Sequence, residues 1–229
     1  MLDARESIII VTLQRLPRED VVLIGGYAVN AYVPPRFSID CDLVVLGNSS
    51  KLESLLREDG FRKVGEGDVS YGSYVRYEME KVKVSFDLLK NSVVDRDTEI
   101  VFEGELFRKY SAERTTVGRA VPTRIKMRIA DPELLFAMKF VSGRRQDVRD
   151  MFMLAGGDLN WDLVSELVSA KCGRELMGKR SRSISRDVQS ESFRDSLQGP
   201  FGRIPSERFE LCRKRLVEYL NAVSTRTRN

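Results

Sequence analysis

The sequence predicts a mixed α/β fold, with a mixed sheet and flanking helices over residues 1–125 and a helical C-terminal region over residues 126–229 that packs against it. Three observations predict this fold. A short, β-branched apolar run at Val21–Ile24 precedes two glycines, as in a buried strand that ends in a tight turn. The segment V-K-V-S-F-D-L-L, residues 82–89, alternates apolar and polar residues until its end. From Asp131-Pro132 onward, apolar residues recur at helical spacing.

Helices and strands are expected to follow one another closely in the first part. Apolar residues at helical spacing predict a helix over Ala4–Leu16, before Pro17. A short helix, Tyr27–Tyr32, must end before Pro34-Pro35, and Gly60 ends a helix near Ser50–Glu58. The strands expected around these helices are Val21–Ile24, Ile39–Leu46, Tyr71–Glu80 and Lys81–Leu89, with short edge strands at Ile100–Phe102 and Thr115–Val121.

The second part is expected to be helical. Asp131-Pro132 combines an N-cap acid with proline at the first helical position. The segment Leu134–Val141 is apolar nearly all round, which predicts a buried helix that Gly143 ends. Further helices are expected at Arg145–Leu154, Trp161–Ala170 and Ser206–Val223. The serine- and arginine-rich segment Lys179–Arg203 is only weakly periodic, which predicts a long connection or a mobile helix.

Composition places the chain among ordinary globular proteins. Hydrophobic residues make up 42% and charged residues 31% of the 229 residues. No apolar run approaches the roughly 20 residues of a membrane span, and the charged N-terminus has no signal-peptide layout. Three cysteines at unrelated positions give neither a disulfide framework nor zinc-ligand spacing. We therefore expect a cytoplasmic protein without a membrane partner.

The chain contains no histidine, which excludes Ser-His-Asp and Cys-His catalysis and histidine metal ligation. A bound metal should therefore be a hard, oxygen-seeking ion such as Mg²⁺ or Mn²⁺. Charge is unevenly distributed, because residues 171–229 hold 14 Lys/Arg against 7 Asp/Glu, a local charge of +7 in a chain of net charge +4. A polyanionic partner or a solvated helical surface would each explain the basic segment.

Two aspartates in the predicted second strand are the first candidates for chemistry. Asp40 and Asp42 are two residues apart, so their side chains should lie on one face of the strand while Cys41 points to the other. Neighbouring carboxylates repel each other unless a cation lies between them, and a divalent metal is a common solution. Two solvated acids at an exposed strand end are the alternative.

Asp87 ends a later strand and could be a third metal ligand or a general base, with Glu78 as its substitute if the strand register differs. Gly25-Gly26, between a buried strand and a helix, would let backbone amides approach an anion. No Gly-Lys-Ser/Thr follows, so this is not a Walker-type loop. The alternative for Asp87 is an ordinary aspartate at the end of a hairpin, and the alternative for Gly25-Gly26 is a plain tight turn.

Lys139 is the only charged residue in L-L-F-A-M-K-F-V-S, residues 134–142. A buried lysine needs an anionic partner, either a ligand phosphate or a protein carboxylate. Asp147 and Asp150 lie beyond the Gly143 break, and either could pair with it. A structural ion pair and a phosphate-contacting lysine are both open at this point.

These motifs resemble a known superfamily. An apolar strand, Gly25-Gly26, thirteen residues, Asp40-x-Asp42 in a second strand and a later strand aspartate are similar to the nucleotidyltransferases of polymerase-β-like fold, over roughly residues 20–90. The segments R-F-S-I-D-C-D-L (36–43) and A-D-P-E-L-L-F-A-M-K-F-V-S-G-R-R-Q-D-V-R-D-M-F-M-L (130–154) are more particularly similar to the AbiEii-type branch. Members include toxins of toxin–antitoxin systems that transfer nucleotides, in some cases to tRNA ends.

The resemblance implies a role for each matching residue. It implies that the triphosphate lies at Gly25 and Gly26, with Arg36 and Ser38 as further nucleotide-binding residues, and that Asp40 and Asp42 bind Mg²⁺. Asp87 matches the third carboxylate of the superfamily, Lys139 a nucleotide-contacting or catalytic lysine, and Asp150, with Asp147 as substitute, the acid that orients this lysine.

The function expected from these residues is transfer of a nucleoside monophosphate from a nucleoside triphosphate (NTP) to an acceptor hydroxyl. RNA or tRNA is one expected acceptor, and a cognate antitoxin is an expected protein partner. Two alternatives are an inactive scaffold that binds nucleotide or RNA, and an enzyme that nucleotidylates a small molecule such as an aminoglycoside. The acceptor distinguishes this last alternative from the main prediction.

Overall fold

The structure is a computed structural model that describes residues 2–69 and 72–228. The chain divides into two compact units, one formed by Met1–Val94 with Val101–Asp131 and the other by Asp95–Ile100 with Pro132–Asn229. The predicted boundary after residue 125 stays a prediction. Among the described helices, none is both long and apolar enough to cross a membrane.

The first unit is a mixed sheet with helices, as predicted. Its described elements are α1 (Leu2–Arg15), β1 (Val21–Ile24), α2 (Gly25–Val29), β2 (Asp40–Val45), α3 (Ser50–Glu58), β3 (Arg62–Val69), β4 (Gly72–Met79), β5 (Val84–Lys90), β6 (Ser92–Val94), β7 (Val101–Glu103), α4 (Gly104–Lys109), β8 (Ser111–Thr116) and β9 (Ile125–Ala130). Seven strands form one sheet in the order β3-β4-β5-β2-β1-β9-β8, and β6 pairs with β7 separately.

Two parallel strand pairs lie in the middle of this sheet, β2 with β5 and β1 with β9, and the other pairs are antiparallel. All four residues of β1 are buried. In β2 the last three residues are buried, whereas its two aspartates near the start are only partly buried. Apolar residues therefore fix the middle of the sheet, and polar side chains collect where β2 begins.

Several elements of the first unit differ from the sequence prediction. The strands β3, β6 and β9 and the helix α4 were not predicted, and β8 lies at Ser111–Thr116 rather than Thr115–Val121. The charged and glycine-containing β3 is an edge strand, and such strands have a weak apolar pattern. The predicted strand Tyr71–Glu80 begins at Tyr71, outside the described residues, and β4 is described from Gly72.

The second unit is helical, as predicted. Its described helices are α5 (Pro132–Ser142), α6 (Arg145–Ala155), α7 (Trp161–Lys171), α8 (Arg174–Gln189), α9 (Phe193–Phe201) and α10 (Ser206–Arg228). Aromatic contacts bind three of them, because the rings of Phe136 on α5, Trp161 on α7 and Tyr219 on α10 have centroids 5.1–5.5 Å apart.

Of the two predictions for Lys179–Arg203, a long connection or a mobile helix, the long connection was wrong, because the segment is helical. This segment forms most of α8 and all of α9. The buried positions of α8 are Gly178, Ser181, Ile184 and Val188. Because two of these four residues are small and not apolar, the helix has a narrow buried face and a weak hydrophobic period.

Candidate functional site

The start of β2 brings the predicted carboxylates together within the first unit. β2 and β5 are parallel neighbours, and their register sets Asp42 beside Asp87 and Asp40 beside Ser85. Because side chains alternate along a strand, these four side chains lie on the same face of the sheet. Cys41 is completely buried on the opposite face, as the sequence predicted.

An arginine that sequence reasoning missed lies among these groups. Arg76 on β4 is opposite Asp87 in the register with β5. Its Nη2 is 3.0 Å from Asp40 Oδ1 and 2.9 Å from Ser85 Oγ, and its Nη1 is 3.1 Å from Asp87 Oδ2. Glu78, the suggested substitute for Asp87, lies opposite Ser85. The register therefore places Asp87, and not Glu78, beside Asp42.

The field around these side chains is negative. Three aspartates and one arginine leave a formal charge of −2 on the four groups. Burial, and then the charges of Asp42, Asp87 and Asp40, raise the pKa of the Cys41 thiol well above its ordinary value. The side chain of Asp40 is 40% exposed and that of Asp87 15%. This negative cluster is therefore accessible to a cation from solvent.

Gly25, the first residue of α2, lies against Asp42. Its φ of +67° is in the left-handed region that favours glycine. A Cβ at this position would lie 2.0 Å from Asp42 Oδ2. No other residue type fits without displacing the carboxylate, so the turn and Asp42 form one compact arrangement.

Gly26 is also closely approached by side chains, though less closely than Gly25. A Cβ here would lie 2.9 Å from Arg36 Nη2 and 2.9 Å from Ser38 Oγ. The structure thus brings Gly25, Gly26, Arg36, Ser38 and Asp42 around one turn. α2 has only five residues, so any anion binding here depends on individual amides and on the Arg36 guanidinium more than on a helix dipole.

The carboxylates at the start of β2 suit a magnesium ion whose remaining ligands come from a bound substrate. Within residues 2–69 and 72–228, no group of three or more Asp, Glu, Cys or His side chains is arranged to hold a metal. Mg²⁺, however, is usually bound by one or two carboxylates together with substrate phosphates, not by a complete protein cage. Asp40 and Asp42 offer the hard oxygen donors for this, beside a turn lined by Arg36 and Ser38.

Lys139 lies in the second unit and pairs with both predicted acids. Its Nζ is 2.7 Å from Asp150 Oδ2 and 2.9 Å from Asp147 Oδ1. The side chain of Lys139 is 9% exposed and that of Asp150 is fully buried. Ser142 Oγ donates to Asp147 at 2.8 Å, and Gln146 Nε2 donates to Asp150 at 3.1 Å. The ammonium is therefore held in one position by two helices, α5 and α6.

Sequence reasoning found the acids, the glycines, Arg36 and Ser38, but not Arg76, which pairs with two of the acids. The strand alternation shows that Arg76 shares a face with Glu78. Which residue of β4 lies opposite Asp87, however, depends on the turn after Met79, and its register is not visible in the sequence.

Comparison with known proteins identifies the family. A family model described as "Nucleotidyl transferase AbiEii toxin, Type IV TA system" matches residues 12–225. No curated protein matches the chain. Two of the similar solved structures are JHP933 from Helicobacter pylori, with 15% identity and a TM-score of 0.45 over 98% of this chain and 92% of that one, and the STING-associated CdnE c-di-GMP synthase from Capnocytophaga granulosa, with 12% identity and a TM-score of 0.26 over 99% and 80%.

The family match extends over both units and includes all of the motifs described above. It confirms the resemblance inferred from the sequence, and it implies a nucleotide substrate and an antitoxin partner. The chain belongs to the AbiEii family of nucleotidyl transferase toxins of type IV toxin–antitoxin systems.

Proposed function

We propose that this protein transfers a nucleoside monophosphate from a magnesium-bound NTP to an acceptor hydroxyl and releases pyrophosphate. The observation that carries the proposal is the close approach of Asp42, Arg36 and Ser38 to the Gly25-Gly26 turn. A metal-ligating carboxylate, a phosphate-binding cation and a hydroxyl, brought together at a glycine turn, are groups that a metal–triphosphate complex requires.

The first unit supplies the groups that would hold the triphosphate. Arg36 has its Nη2 at the turn, and a guanidinium is well suited to phosphate oxygens. Ser38 offers a hydroxyl on the same side. The absence of Cβ atoms at Gly25 and Gly26 leaves the space in which the Asp42 carboxylate, the Arg36 guanidinium and the Ser38 hydroxyl come together.

Asp40 and Asp42 would hold Mg²⁺. When bound, this ion neutralises phosphate charge and stabilises the pyrophosphate leaving group. In the reaction, the acceptor oxygen bonds to the α-phosphorus, the bond between this phosphorus and the oxygen bridging to the β-phosphate breaks, and the acceptor proton is transferred to a base. Asp87 is the proposed base, since its carboxylate lies beside Asp42 and no histidine is available.

We also propose a functional role for Lys139 and Asp150, with Asp147 as a second acid. The family resemblance supports this role, and the two short ion pairs hold the ammonium in one position. The ammonium of Lys139, fixed in this way, could stabilise a phosphate charge.

RNA or tRNA is the acceptor that we propose. Support comes from the +7 charge of residues 171–229 and from the exposed Lys179, Arg182 and Arg186 of α8. Their spacing places them on one face of the helix, where they would attract a phosphate backbone without reading its sequence. A cytoplasmic location fits the three buried cysteines, none of which is in a disulfide.

One observation favours the alternative of a scaffold that binds without turnover. Arg76 already neutralises part of the charge of Asp40 and Asp87, which a catalytic metal would otherwise do. In that case the protein would bind nucleotide or RNA, and Asp87 would act as a structural ion-pair partner.

Thermal unfolding with and without ligands distinguishes the two. For the enzyme, NTP with Mg²⁺ should stabilise the wild type by about 2.7 kcal/mol at a hundredfold excess over Kd, and NTP without the metal should stabilise it much less. Asp42→Asn should lose this effect, whereas Asp158→Asn, at an exposed position, should keep it. Stabilisation by RNA, lost as salt is raised, with none from Mg²⁺–NTP would support a scaffold that binds RNA and contradict the enzyme.

A further inference from the structure

Asn30 lies where three segments of the first unit meet. It directly follows α2, is only 4% exposed, and reaches both the irregular segment that carries Arg36 and the connection between β8 and β9. It has no part in the proposed reaction. A buried amide needs a structural or functional reason, because burial of such a group is costly unless its hydrogen bonds are made.

The amide of Asn30 forms a two-point contact with the main chain of Arg36. Its Oδ1 accepts from Arg36 N at 3.0 Å, and its Nδ2 donates to Arg36 O at 3.0 Å. The same Nδ2 donates to Val117 O at 3.2 Å. Only a carboxamide offers one acceptor and two donors in this arrangement, so an isosteric aspartate cannot replace it.

The segment that Asn30 holds has little support of its own. Residues 33–39 contain no helix or strand, and Pro34 and Pro35 have no amide hydrogen to donate. Farther along, Tyr27 OH donates to Ser38 O at 2.9 Å. Asn30, just after α2, and Tyr27, within α2, therefore fix the main chain on both sides of Phe37.

The connection between β8 and β9, to which Asn30 donates its other hydrogen bond, is itself held by further hydrogen bonds. Glu6, which is fully buried on α1, accepts hydrogen bonds from the amides of Arg119, Ala120 and Val121 at 2.6–2.9 Å. Since these residues closely follow Val117, the connection between β8 and β9 is a fixed point. Asn30 can therefore transmit this rigidity to the Arg36 segment.

We propose that Asn30 is a positioning residue for nucleotide binding, because it fixes Arg36 at the Gly25-Gly26 turn. The inference rests on the proposed function, in which Arg36 and Ser38 bind the triphosphate. Asn30 does not touch the nucleotide. It sets the position from which the Arg36 guanidinium meets the phosphates, so its loss should weaken nucleotide binding through Arg36 alone.

The test is a double-mutant cycle on the Kd of the Mg²⁺–NTP complex, measured by titration calorimetry. Asn30→Asp keeps the size and the acceptor but sets a carboxylate oxygen against Arg36 O and Val117 O. In the wild-type background it should raise Kd by about tenfold, as expected for the loss of these two hydrogen bonds and displacement of the Arg36 guanidinium. In an Arg36→Ala background the same substitution should change Kd by less than about twofold.

A matched control separates positioning from general stability. Ser111→Ala removes another buried hydrogen bond of this unit, from Ser111 Oγ to Phe107 O, and should lower the melting temperature without changing Kd. Asn30→Ser, which adds no charge, serves if the aspartate variant does not fold. It removes the donors to Arg36 O and Val117 O and should also raise Kd.

Each outcome decides the question. An equal rise of Kd in both backgrounds, or a rise that Ser111→Ala reproduces, would show a merely structural role and overturn the inference. An unchanged Kd in a folded Asn30 variant would overturn it too, and would leave the proposed function intact. If the wild type binds no Mg²⁺–NTP, the proposed function fails, and the inference fails with it.

Discussion

Arg76 forms ion pairs with two carboxylates that would otherwise repel each other. Its guanidinium reaches Asp40 and Asp87 at 3.0 and 3.1 Å, from a side chain about one-third exposed. Ion pairs this accessible to water contribute about 0–1 kcal/mol each. Arg76 can therefore hold the acids in place before a ligand binds and can yield part of this contact to a metal at little cost.

A second polar cluster in the first unit has a measurable consequence for stability. Glu53 on α3 accepts hydrogen bonds from Ser49 Oγ at 2.6 Å, Tyr77 OH at 2.8 Å and Lys90 Nζ at 3.0 Å. Burial alone would raise the pKa of Glu53, but these three hydrogen bonds outweigh it and lower the pKa to about 2. Because the folded-state pKa lies below that of the unfolded chain, Glu53 stabilises the fold above about pH 4.5 and loses this effect as the pH falls toward 2.

We therefore expect Glu53→Gln to be less stable than the wild type by about 1–3 kcal/mol at pH 7, with the difference shrinking as the pH is lowered from about 4.5 to 2. Urea unfolding at a series of pH values measures it. Glu58→Gln, at an exposed position of the same helix, should follow the wild-type curve. A difference that is independent of pH would contradict the assigned hydrogen bonds.

Residue patterns predicted the elements of this protein to different degrees. β1, α3 and α6 follow from apolar spacing and from their glycine or proline boundaries, and all three lie where they were expected. β9 alternates buried and exposed residues as a strand should. It was overlooked because it is short and directly precedes the Asp131-Pro132 helix start.

The helix α8 shows that a segment with weak hydrophobic periodicity can still form a well-packed helix. Gly178 and Ser181 are buried on it together with two apolar residues, so close packing, not a broad apolar face, holds this helix in the second unit. Such packing depends on which residues of neighbouring helices it meets, and these are not adjacent in the sequence.

At the scale of this element, we expect Ser181→Leu to destabilise the second unit by about 1–3 kcal/mol, because the larger side chain overpacks a fully buried position. Ser183→Leu, at an exposed position two residues later, should change stability by less than about 0.5 kcal/mol. Urea unfolding of both variants measures the difference. Equal stabilities would show that α8 is not packed at Ser181.

Across the whole molecule, the residues assigned to function are divided between the two units. Gly25, Gly26, Arg36, Ser38, Asp40, Asp42 and Asp87 belong to the first, and Lys139, Asp147 and Asp150 to the second. Local motifs predicted most of these residues, since residues 25–42 form one short stretch and residues 139–150 one pair of neighbouring helices, whereas Asp87 lies in a later strand. Arg76 and Asn30 escaped prediction because their partners come from separate strands and loops.

The distribution of charge is the second property of the whole chain. Residues 1–170 carry a net charge of −3 and residues 171–229 a net charge of +7. A polyanionic acceptor would be drawn to the basic segment, while a metal ion would be drawn to the aspartates of the first unit. The asymmetry suits a reaction that joins a nucleotide to RNA.

The most direct test of nucleotide transfer by this protein is transfer of label from an NTP labelled at its α-phosphate to an acceptor in total RNA, in the presence of Mg²⁺. The wild type should produce labelled RNA together with pyrophosphate, and Asp40→Asn and Asp42→Asn should each lower the rate by about a hundredfold or more. Asp158→Asn should retain the wild-type rate. Label transfer that is unchanged in both the Asp40 and Asp42 variants would show that these carboxylates do not hold a catalytic metal.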